Sequence, residues 1–434
     1  MPLQTSRLRT EVVILGSGFA GSLLALLLNK IGRKAIIIDK ARHPRFAIGE
    51  SSTPMANMIL GALANRYNLP ALTPLTTFGT WRDTYPHLVN GRKRGFSYFQ
   101  HEKDEPFKPA NNHSNELLVT ASTDNYRCDT HWLRADIDHF LFQEVQKAGV
   151  QVFDNTLVQA LSTDPSNADT WQVQAQNNEQ ELSIEAAFVI DATGEAGLVA
   201  RHLDLPDLTD QLQTHSHAIF SHFVGLPTWH DFSTALGADT TDYPFFCDDA
   251  AVHQCIDHGW MWMLRFIDGR VSAGFALDCT QYRPNYSVQP ESDWASLIAH
   301  YPTLQHLFSK AKLAETPGKL YRTGRLQRLW GKTAGKNWAL LPHTAGFIDP
   351  MHSTGIAHSL SGIEQLVSIM EMYWGSDKLE LALQQYNNRL IRELKFIDLL
   401  VAGCYPCMGN FDLLTSYTML YFAAAITYEE RRMG

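Results

Sequence analysis

The chain has 434 residues, more than one ordinary hydrophobic core holds, so its length predicts about two or three subdomains. Apolar residues make up 45% and charged residues 19%, a balance typical of globular proteins with a sizeable core. The formal net charge is −9, with both signs scattered along the chain, which argues against binding to nucleic acid or to an anionic membrane.

The cysteines and the N-terminus indicate a cytoplasmic protein. Six cysteines are too scattered for a disulfide scaffold, so reduced thiols are expected. Cys404 and Cys407 have CxxC spacing, but no second pair or histidine follows at zinc spacing, so we interpret them as buried small side chains and predict no metal site. Arg7 and Arg9 precede an apolar stretch, but Glu11 interrupts it, which favours a strand over a signal peptide. No apolar run has the length of a membrane span.

The first predicted elements form a β-α-β unit. A buried strand at 11–15 is followed at once by the glycine loop Gly16-Ser-Gly18-Phe-Ala-Gly21. The stretch 22–28 then continues as a helix, and 34–38 is a second strand. This order is the context in which a GxGxxG pattern predicts dinucleotide binding.

Each glycine of this loop has an expected task. Gly16 permits the tight turn, Gly18 lets the backbone approach a pyrophosphate, and Gly21 allows close packing of the helix. The helix N-terminus attracts the phosphates, and Asp39 at the end of the second strand can bond the ribose hydroxyls. The alternative is a glycine-rich turn that holds no ligand.

Two later strand–turn segments favour FAD over NAD. The segment 188–194 is a strand that ends in a turn of small residues, and 338–350 is a strand that ends near Asp349 and leads into a helix. Both resemble the second and third FAD contacts of the FAD monooxygenase-like family. The resemblance implies that Asp349 lies near the ribityl-phosphate linkage. It also implies that Arg134, which opens a helical run at 135–149, contacts the cofactor.

Four stretches resemble the flavin-dependent halogenases, the group that includes the tryptophan halogenases. They are Ile48–Pro54 (IGESSTP), Lys93–Tyr98, Trp260–Leu264 (WMWML) and Asp349–Gly355 (DPMHSTG). The resemblance covers at least residues 11–355 and is closest to members that act on pyrroles or phenols held on a carrier protein. It implies an α/β fold: a Rossmann-type FAD-binding domain of the FAD monooxygenase-like fold, a β-rich substrate domain and a helical C-terminal region.

The resemblance also implies the reaction. FADH2 from a separate flavin reductase and O2 give a flavin hydroperoxide, which a chloride or bromide ion attacks to form hypohalous acid. The halide is expected at Ser353, Thr354 and Gly355, where backbone N–H groups at a helix start can bind an anion. Lys93 then either hydrogen-bonds the hypohalous acid or carries the halogen as a haloamine. The product is an electron-rich aromatic, free or carrier-tethered, that has gained a halogen by electrophilic substitution.

The remaining expected site residues include two departures from the family pattern. The resemblance implies that the stretch Ile48–Pro54 lies beside the flavin ring. Glu50 is expected to be a catalytic residue there, and Ser51 is expected to contact the cofactor. Trp260 and Trp262 are expected to wall the flavin from the substrate, although an arginine follows at the position of the family's proline. His352 stands where tryptophan halogenases have a glutamate, which speaks against free tryptophan and favours a pyrrole or phenol.

Each of these residues also has a purely structural interpretation. Lys93 lies in a basic run, and such a run is usually a solvated surface. The two tryptophans alternate like one face of a core strand, His352 can be a structural histidine, and Glu50 a loop acid.

The expected domains are discontinuous. An FAD-binding domain comprises 1–80, 127–200 and 335–375, and a substrate domain comprises 81–126 and 201–334. The segment 376–434 is a helical cap whose aromatic residues can cover the pocket. The alternative functions are an FAD-dependent monooxygenase or prenyl-reductase-type oxidoreductase, and a flavoprotein-like partner without catalysis.

Overall fold

The structure, a computed structural model, describes residues 4–164 and 167–433. Its strands are β1 (Gln4–Leu15), β2 (Ala35–Ile38), β3 (Asn90–Lys93), β4 (Gly95–Gln100), β5 (Glu116–Thr120), β6 (Asp129–Trp132), β7 (Gln151–Phe153), β8 (Leu157–Asp164), β9 (Asn167–Gln176), β10 (Gln180–Asp191), β11 (Ser216–Val224), β12 (Ala251–Ile256), β13 (Gly259–Arg265), β14 (Val271–Asp278), β15 (Lys312–Leu313), β16 (Tyr321–Arg322), β17 (Arg328–Leu329), β18 (Ala334–Gly335), β19 (Trp338–Leu340) and β20 (Gly346–Phe347).

The helices connect these strands and form the C-terminal region. They are α1 (Phe19–Lys30), α2 (Pro54–Arg66), α3 (Phe78–Thr84), α4 (Arg134–Lys147), α5 (Leu198–His202), α6 (Trp229–Ala235), α7 (Pro290–Ile298), α8 (Pro302–Leu307), α9 (Pro342–Ala345), α10 (Thr354–Tyr373), α11 (Leu379–Ala402) and α12 (Phe411–Met433). Short 3-10 turns lie at Thr73–Thr76, Gly194–Ala196, Thr209–Gln211 and Tyr405–Cys407.

The first sheet has the parallel core that the glycine loop predicted. Its strand order is β18-β19-β10-β1-β2-β7, and β1 runs parallel to both β2 and β10. The residues Val12–Leu15 are fully buried, as expected for a parallel strand covered on both faces. The strand β1 is longer than the predicted 11–15, because residues 4–10 pair with 180–186 of β10, and this pairing is not visible in the local sequence.

The second sheet carries the β-rich part of the fold. Its order is β15-β11-β14-β13-β12-β4-β5, and its pairings are antiparallel except between β4 and β12. Because side chains alternate along a strand, Phe96 and Tyr98 of β4 lie on one face and Phe99 on the other. The first face packs against the C-terminal region through Met408 and Phe422, and the second forms its own apolar core.

The α/β fold class with a helical C-terminal region is therefore confirmed. Strands of the two sheets fall in different stretches of the chain, but the proposed domain boundaries stay predictions. Cys404 and Cys407 are free and buried, in keeping with their interpretation as small buried side chains. Among the described residues, no helix combines the length and apolarity that a membrane crossing requires.

Candidate active site

The glycine loop joins β1 to α1 by a tight turn against the first sheet. Gly16 has φ of +103°, a conformation that side chains with a Cβ rarely adopt. A Cβ on Gly21 would lie 2.1 Å from the Gly16 carbonyl oxygen, so only glycine lets α1 pack this close to the loop. Gly18 is the N-cap of α1, which is twelve residues long and directs its first N–H groups toward the space between the loop and the side chains of Arg45 and Arg134, here called the groove.

Asp39 lies at the end of β2, beside this loop. Its Oδ2 accepts hydrogen bonds from the Ser17 N–H and hydroxyl, both at 2.7 Å, and from Arg45 at 3.0 Å. Burial by itself raises the pKa of Asp39, but the Arg45 guanidinium and the N–H groups of Ala41 and Ser17 outweigh it and lower the pKa. The carboxylate is thus held ionised as an acceptor, which suits ribose hydroxyl donors.

Arg134 is the first residue of α4 and ties this helix to the loop Ile48–Pro54, here called the strap. Its Nε and Nη2 each donate to the carboxylate of Asp138 at 2.8 Å, and its Nη1 donates to the carbonyls of Ile48 and Gly49. A Cβ on Gly18 would lie 3.9 Å from a guanidinium nitrogen of Arg134 and equally far from one of Arg45.

These residues fit FAD. The groove offers a glycine loop and a helix N-terminus, whose backbone N–H groups suit a pyrophosphate, and the guanidinium groups beside it are each paired with a carboxylate, Arg45 with Asp39 and Arg134 with Asp138. On the strap, the Ser51 hydroxyl is buried without a hydrogen-bond partner among the described residues, and a ligand atom can satisfy it. Gly16, Gly18, Asp39, Ser51 and Arg134 are thus grouped around one groove.

Asp349 and the start of α10 line a small cavity together with His343 and Phe347. Asp349 accepts hydrogen bonds from the hydroxyls of Ser216 at 2.7 Å and Tyr405 at 2.8 Å. Burial raises its pKa to about 6, although these donors oppose the shift. Ser353 caps α10 with φ of +54°, an unusual conformation for a residue other than glycine. No atom within the described residues lies within 4 Å of a Cβ built on Gly355, so there is open space at the first turn.

Glu50 lies inside the protein, paired with a histidine from the second sheet. Its Oε1 lies 2.9 Å from Nε2 of His222 on β11, and both side chains are buried. The Glu50 carbonyl accepts the Trp132 N–H at 2.6 Å, so the strap runs along β6 at this point. The pair therefore joins the strap to the second sheet, a contact over 172 residues of sequence.

Lys93 is buried completely, with 0% of its surface exposed. Its Nζ donates to the Ser52 carbonyl of the strap at 2.5 Å and lies 4.1 Å from the centre of the Phe96 ring. Burial lowers the pKa of Lys93, and the nearby carboxylates of Asp129 and Glu429 oppose that change. The solvated-charge alternative for this lysine is therefore excluded by its position.

An aromatic row leads from Lys93 across the second sheet. It consists of Phe96, Tyr98, His253, Trp260 and Trp262, whose successive ring centres lie 4.5–6.5 Å apart. The Nε2 of His253 lies 3.2 Å from the Met351 carbonyl, which brings the row to the turn before α10. The row thus places Lys93 and the candidate halide turn on one side of the sheet.

His352 lies at the far end of this site under the C-terminal helix. Its ring is stacked on Tyr421 with centres 3.9 Å apart, and its Nε2 lies 3.4 Å from the Cys404 sulfur. Burial, together with His253, lowers the pKa of His352 to about 3, so the ring is neutral near pH 7. The Nδ1 atom is buried and has no hydrogen-bond partner within the described residues.

The two tryptophans lie on the same face of β13, with ring centres 6.0 Å apart. The Trp262 Nε1 donates to the Ser272 hydroxyl, which fixes the orientation of that ring. Arg265, at the position of the family's proline, is paired with Asp248 and donates to the Pro227 carbonyl at 2.6 Å. The substitution is therefore accommodated at the end of the strand, away from the two indoles.

Three residues of this region were not predicted from the sequence: His222, His253 and Asp129. The two histidines look like ordinary strand residues, and nothing local marks them as neighbours of the strap or of α10. Asp129 stands in the unusual strand sequence Asp-Thr-His-Trp, and a carboxylate in a buried strand is a signal that a polar partner lies nearby. Two aromatic residues of the segment 376–434, Tyr421 and Phe422, have their rings near that of His352, with centres 3.9 Å and 6.3 Å away.

Comparison with known proteins identifies the family to which this chain belongs. A family model described as tryptophan halogenase matches residues 103–410. The chain is 26% identical over 400 residues to the tetracycline 7-halogenase of Kitasatospora aureofaciens, covering 88% of this chain and 69% of that protein. It is 25% identical over 426 residues to the monodechloroaminopyrrolnitrin halogenase PrnC of Pseudomonas fluorescens, covering 96% and 71%. The crystal structure of halogenase PltM with phloroglucinol and FAD superposes with a TM-score of 0.86 at 24% identity, covering 97% and 82%, which shows the common fold.

The chain belongs to the tryptophan halogenase family. The protein is accordingly an enzyme, a flavin-dependent halogenase of the oxidoreductase class, as the resemblance predicted. Family membership therefore excludes the three alternative functions, which were an FAD-dependent monooxygenase, a prenyl-reductase-type oxidoreductase and a non-catalytic flavoprotein-like partner.

Proposed function

We propose that this halogenase acts on an electron-rich phenol or pyrrole and uses Lys93 to direct hypohalous acid onto the ring. The single observation that carries the proposal is the full burial of Lys93 between the strap and the aromatic row. A buried lysine is costly to keep, and its placement here suits a reagent that must not reach bulk water.

The cofactor groove is formed by Gly16, Gly18, Gly21, Asp39, Ser51, Arg134, Asp349 and Gly355. Reduced FAD, when bound there, supplies the electrons with which O2 is converted into an oxidant for chloride or bromide. A separate flavin reductase is the proposed source of the reduced cofactor. Ser353, Thr354 and Gly355 are proposed to bind the halide through backbone N–H groups at the start of α10, where the helix dipole favours an anion.

The remaining residues handle the reagent and the substrate. Lys93 holds the hypohalous acid, and Glu50, fixed by His222, keeps the strap in register with the second sheet. Trp260 and Trp262 wall the substrate side. Neutral His352 accepts a hydrogen bond at Nδ1 from a phenolic hydroxyl or a pyrrole N–H. A carboxylate at this position would accept the same hydrogen bond but would carry a full negative charge.

Free substrates are favoured over carrier-tethered ones by the state of the basic run. Arg92 pairs with Asp249, and Arg94 donates to Asn125 and to the Ser122 and Thr123 carbonyls. Lys93 is buried between them and Arg92 is neutralised by Asp249, so Arg94, whose partners are uncharged, is the charge that this run still offers to an acidic carrier protein. The PltM crystal structure, which holds phloroglucinol, a trihydroxybenzene, supports the same preference.

The test is a halogenation assay with FAD, a flavin reductase, NADH, O2 and either chloride or bromide. One set contains free phenols and pyrrole-2-carboxylate, and the other contains a pyrrolyl-loaded carrier protein. We expect the chlorine or bromine isotope pattern in mass spectra of a free phenol or pyrrole. We expect the Lys93→Ala variant to lose product by at least about a hundredfold while still binding FAD.

The matched control is Lys103→Ala, which removes an exposed lysine and should retain wild-type activity. Halogenation of the carrier-bound pyrrole alone would overturn the preference for free substrates. Full activity of Lys93→Ala would overturn the role of the lysine. Oxygen insertion without halogen in both sets would contradict the proposed reaction.

A further inference from the structure

Asp129 is the cross-strand neighbour of Lys93. The two residues face each other in the antiparallel pairing of β3 with β6. Directly opposed side chains in such a ladder point to the same side, with Cβ atoms about 4.5–5.5 Å apart. Asp129 is only 2% exposed, so a carboxyl group and a lysine share one buried site.

Lys93 and Asp129 are each hydrogen-bonded to an uncharged partner, so neither charge is balanced by these hydrogen bonds. The Lys93 ammonium donates to the Ser52 carbonyl, a neutral acceptor. Asp129 accepts a hydrogen bond at Oδ1 from the Asn57 side chain at 2.6 Å, while its Oδ2 has no partner in the described parts of the chain. A buried charge without an opposite charge is strongly disfavoured, so each group needs the other to stay ionised.

The other titratable groups that face Lys93 do not replace Asp129. His131 on β6 and His253 on β12 have pKa values lowered by burial to about 3 and about 4, so both are neutral near pH 7. Glu429 on α12 is less deeply buried, and the Met55 N–H already donates to its carboxylate. Asp129 is therefore the most deeply buried carboxyl group at the lysine.

We propose that Asp129 is the positioning residue that keeps Lys93 protonated and aimed at the strap, so that the lysine acts on hypohalous acid as a hydrogen-bond donor. This inference rests on the function proposed above and chooses between the two roles that the sequence left open for the lysine. Burial lowers the pKa of Lys93 and raises that of Asp129, and the attraction between the two charges opposes both changes.

The step balances with the lysine as donor. The ring carbon attacks the halogen of hypohalous acid, the carbon–halogen bond forms, and the halogen–oxygen bond breaks with its electron pair left on oxygen. The oxygen takes a proton from the Lys93 ammonium and leaves as water. The ring then loses its proton, which restores the ammonium of Lys93, and the sum is aromatic plus hypohalous acid to halogenated aromatic plus water. A haloamine would instead require the neutral amine, which the Asp129 carboxylate opposes.

The first test measures the protonation of Lys93 without turnover. The protein, labelled with ¹⁵Nζ-lysine, is titrated by NMR in the presence of FAD, and the Lys93 signal is assigned by its loss in Lys93→Arg. We expect Asp129→Asn to lower the pKa of Lys93 by about one pH unit or more, because an opposite charge has been removed. Asp129→Glu should bring the pKa of Lys93 back close to its wild-type value, and Asn57→Ala should change it less than Asp129→Asn does.

The second test follows halogenation as a function of pH. If the ammonium is the active form, the high-pH limb of the kcat profile of Asp129→Asn moves to lower pH by the same amount as the Lys93 pKa. At a pH above both pKa values, a Lys93 pKa that is lower by about one leaves about tenfold less ammonium and a rate about tenfold lower. The matched control is Glu116→Gln, which makes the same change at a buried carboxylate that pairs with His113 and Tyr243 and should leave the profile unchanged.

Two results would overturn the inference. One is a Lys93 signal that titrates at the same pH in Asp129→Asn and the wild type. The other is an Asp129→Asn variant that gains activity at acidic pH, which would make the neutral amine the reactive form. Should Asp129→Asn not fold, Asn57→Ala carries the comparison, because loss of its hydrogen bond to Asp129 disfavours the carboxylate and should lower the Lys93 pKa by a smaller amount. An unchanged Lys93 pKa in Asn57→Ala would then overturn the inference. A wild-type protein that halogenates none of the aromatics would contradict the proposed function, and the NMR titration would still decide whether Asp129 controls the lysine.

Discussion

Buried ionisable side chains at this site are joined in pairs that come from distant segments. Glu50 and His222 are one such pair, and truncation of Glu50 leaves the histidine buried without its acceptor. We expect Glu50→Ala to lower the free energy of unfolding by about 1–3 kcal/mol, whereas Glu50→Gln costs less because its amide oxygen can still accept. Urea unfolding followed by circular dichroism measures both. Glu102→Ala, at an exposed acid, is the control, and an equal effect there would contradict a structural role of the pair.

At the scale of single elements, the β1–α1 connection determines the shape of the proposed cofactor groove. In a Gly21→Ala variant the new Cβ meets the Gly16 carbonyl, so α1 must move away from the loop. We expect this overpacking to destabilise the protein by about 1–3 kcal/mol and to raise the FAD dissociation constant at least about tenfold, as measured by flavin fluorescence. Gly409→Ala is the control, because a Cβ there meets nothing within 4 Å among the described residues. Unchanged FAD affinity in Gly21→Ala would refute the assigned role of this glycine.

The whole molecule buries an unusual set of histidines, and this predicts sensitivity to mild acid. Burial lowers the pKa of four of them to about 3 or about 4: His101, His131, His253 and His352. The unfolded chain takes up protons at these positions below about pH 6.5, whereas the folded protein does not until about pH 4. The free energy of unfolding therefore decreases as pH falls through this window, by up to about 1.4 kcal/mol per pH unit for each histidine.

Urea unfolding at pH 7.5, 6.5 and 5.5 tests this expectation. The variant His101→Gln should reduce the pH dependence by about one proton, because glutamine does not titrate. His306→Gln, at an exposed histidine, should leave the dependence unchanged. A stability that stays constant between pH 7.5 and 5.5 would contradict the prediction.

Elements encoded by local patterns were predicted well from the sequence. The glycine loop and the second strand with Asp39 depend on residues within one β-α-β unit, and the helix that starts at Arg134 depends on its own run of residues. The extent of β1 was not predicted, because residues 4–10 pair with a strand far along the chain. Local periodicity reports which side chains avoid water, but not which strand a segment will join.

The sequence by itself determined the fold class, the glycine loop and the family, because these depend on glycine positions and motif order. Only the tertiary structure decided that Lys93 is buried opposite Asp129 and that Glu50 bonds His222. The physical reason is that a buried charge is tolerable only beside a partner, and that partner is supplied by whichever distant segment crosses the site after folding.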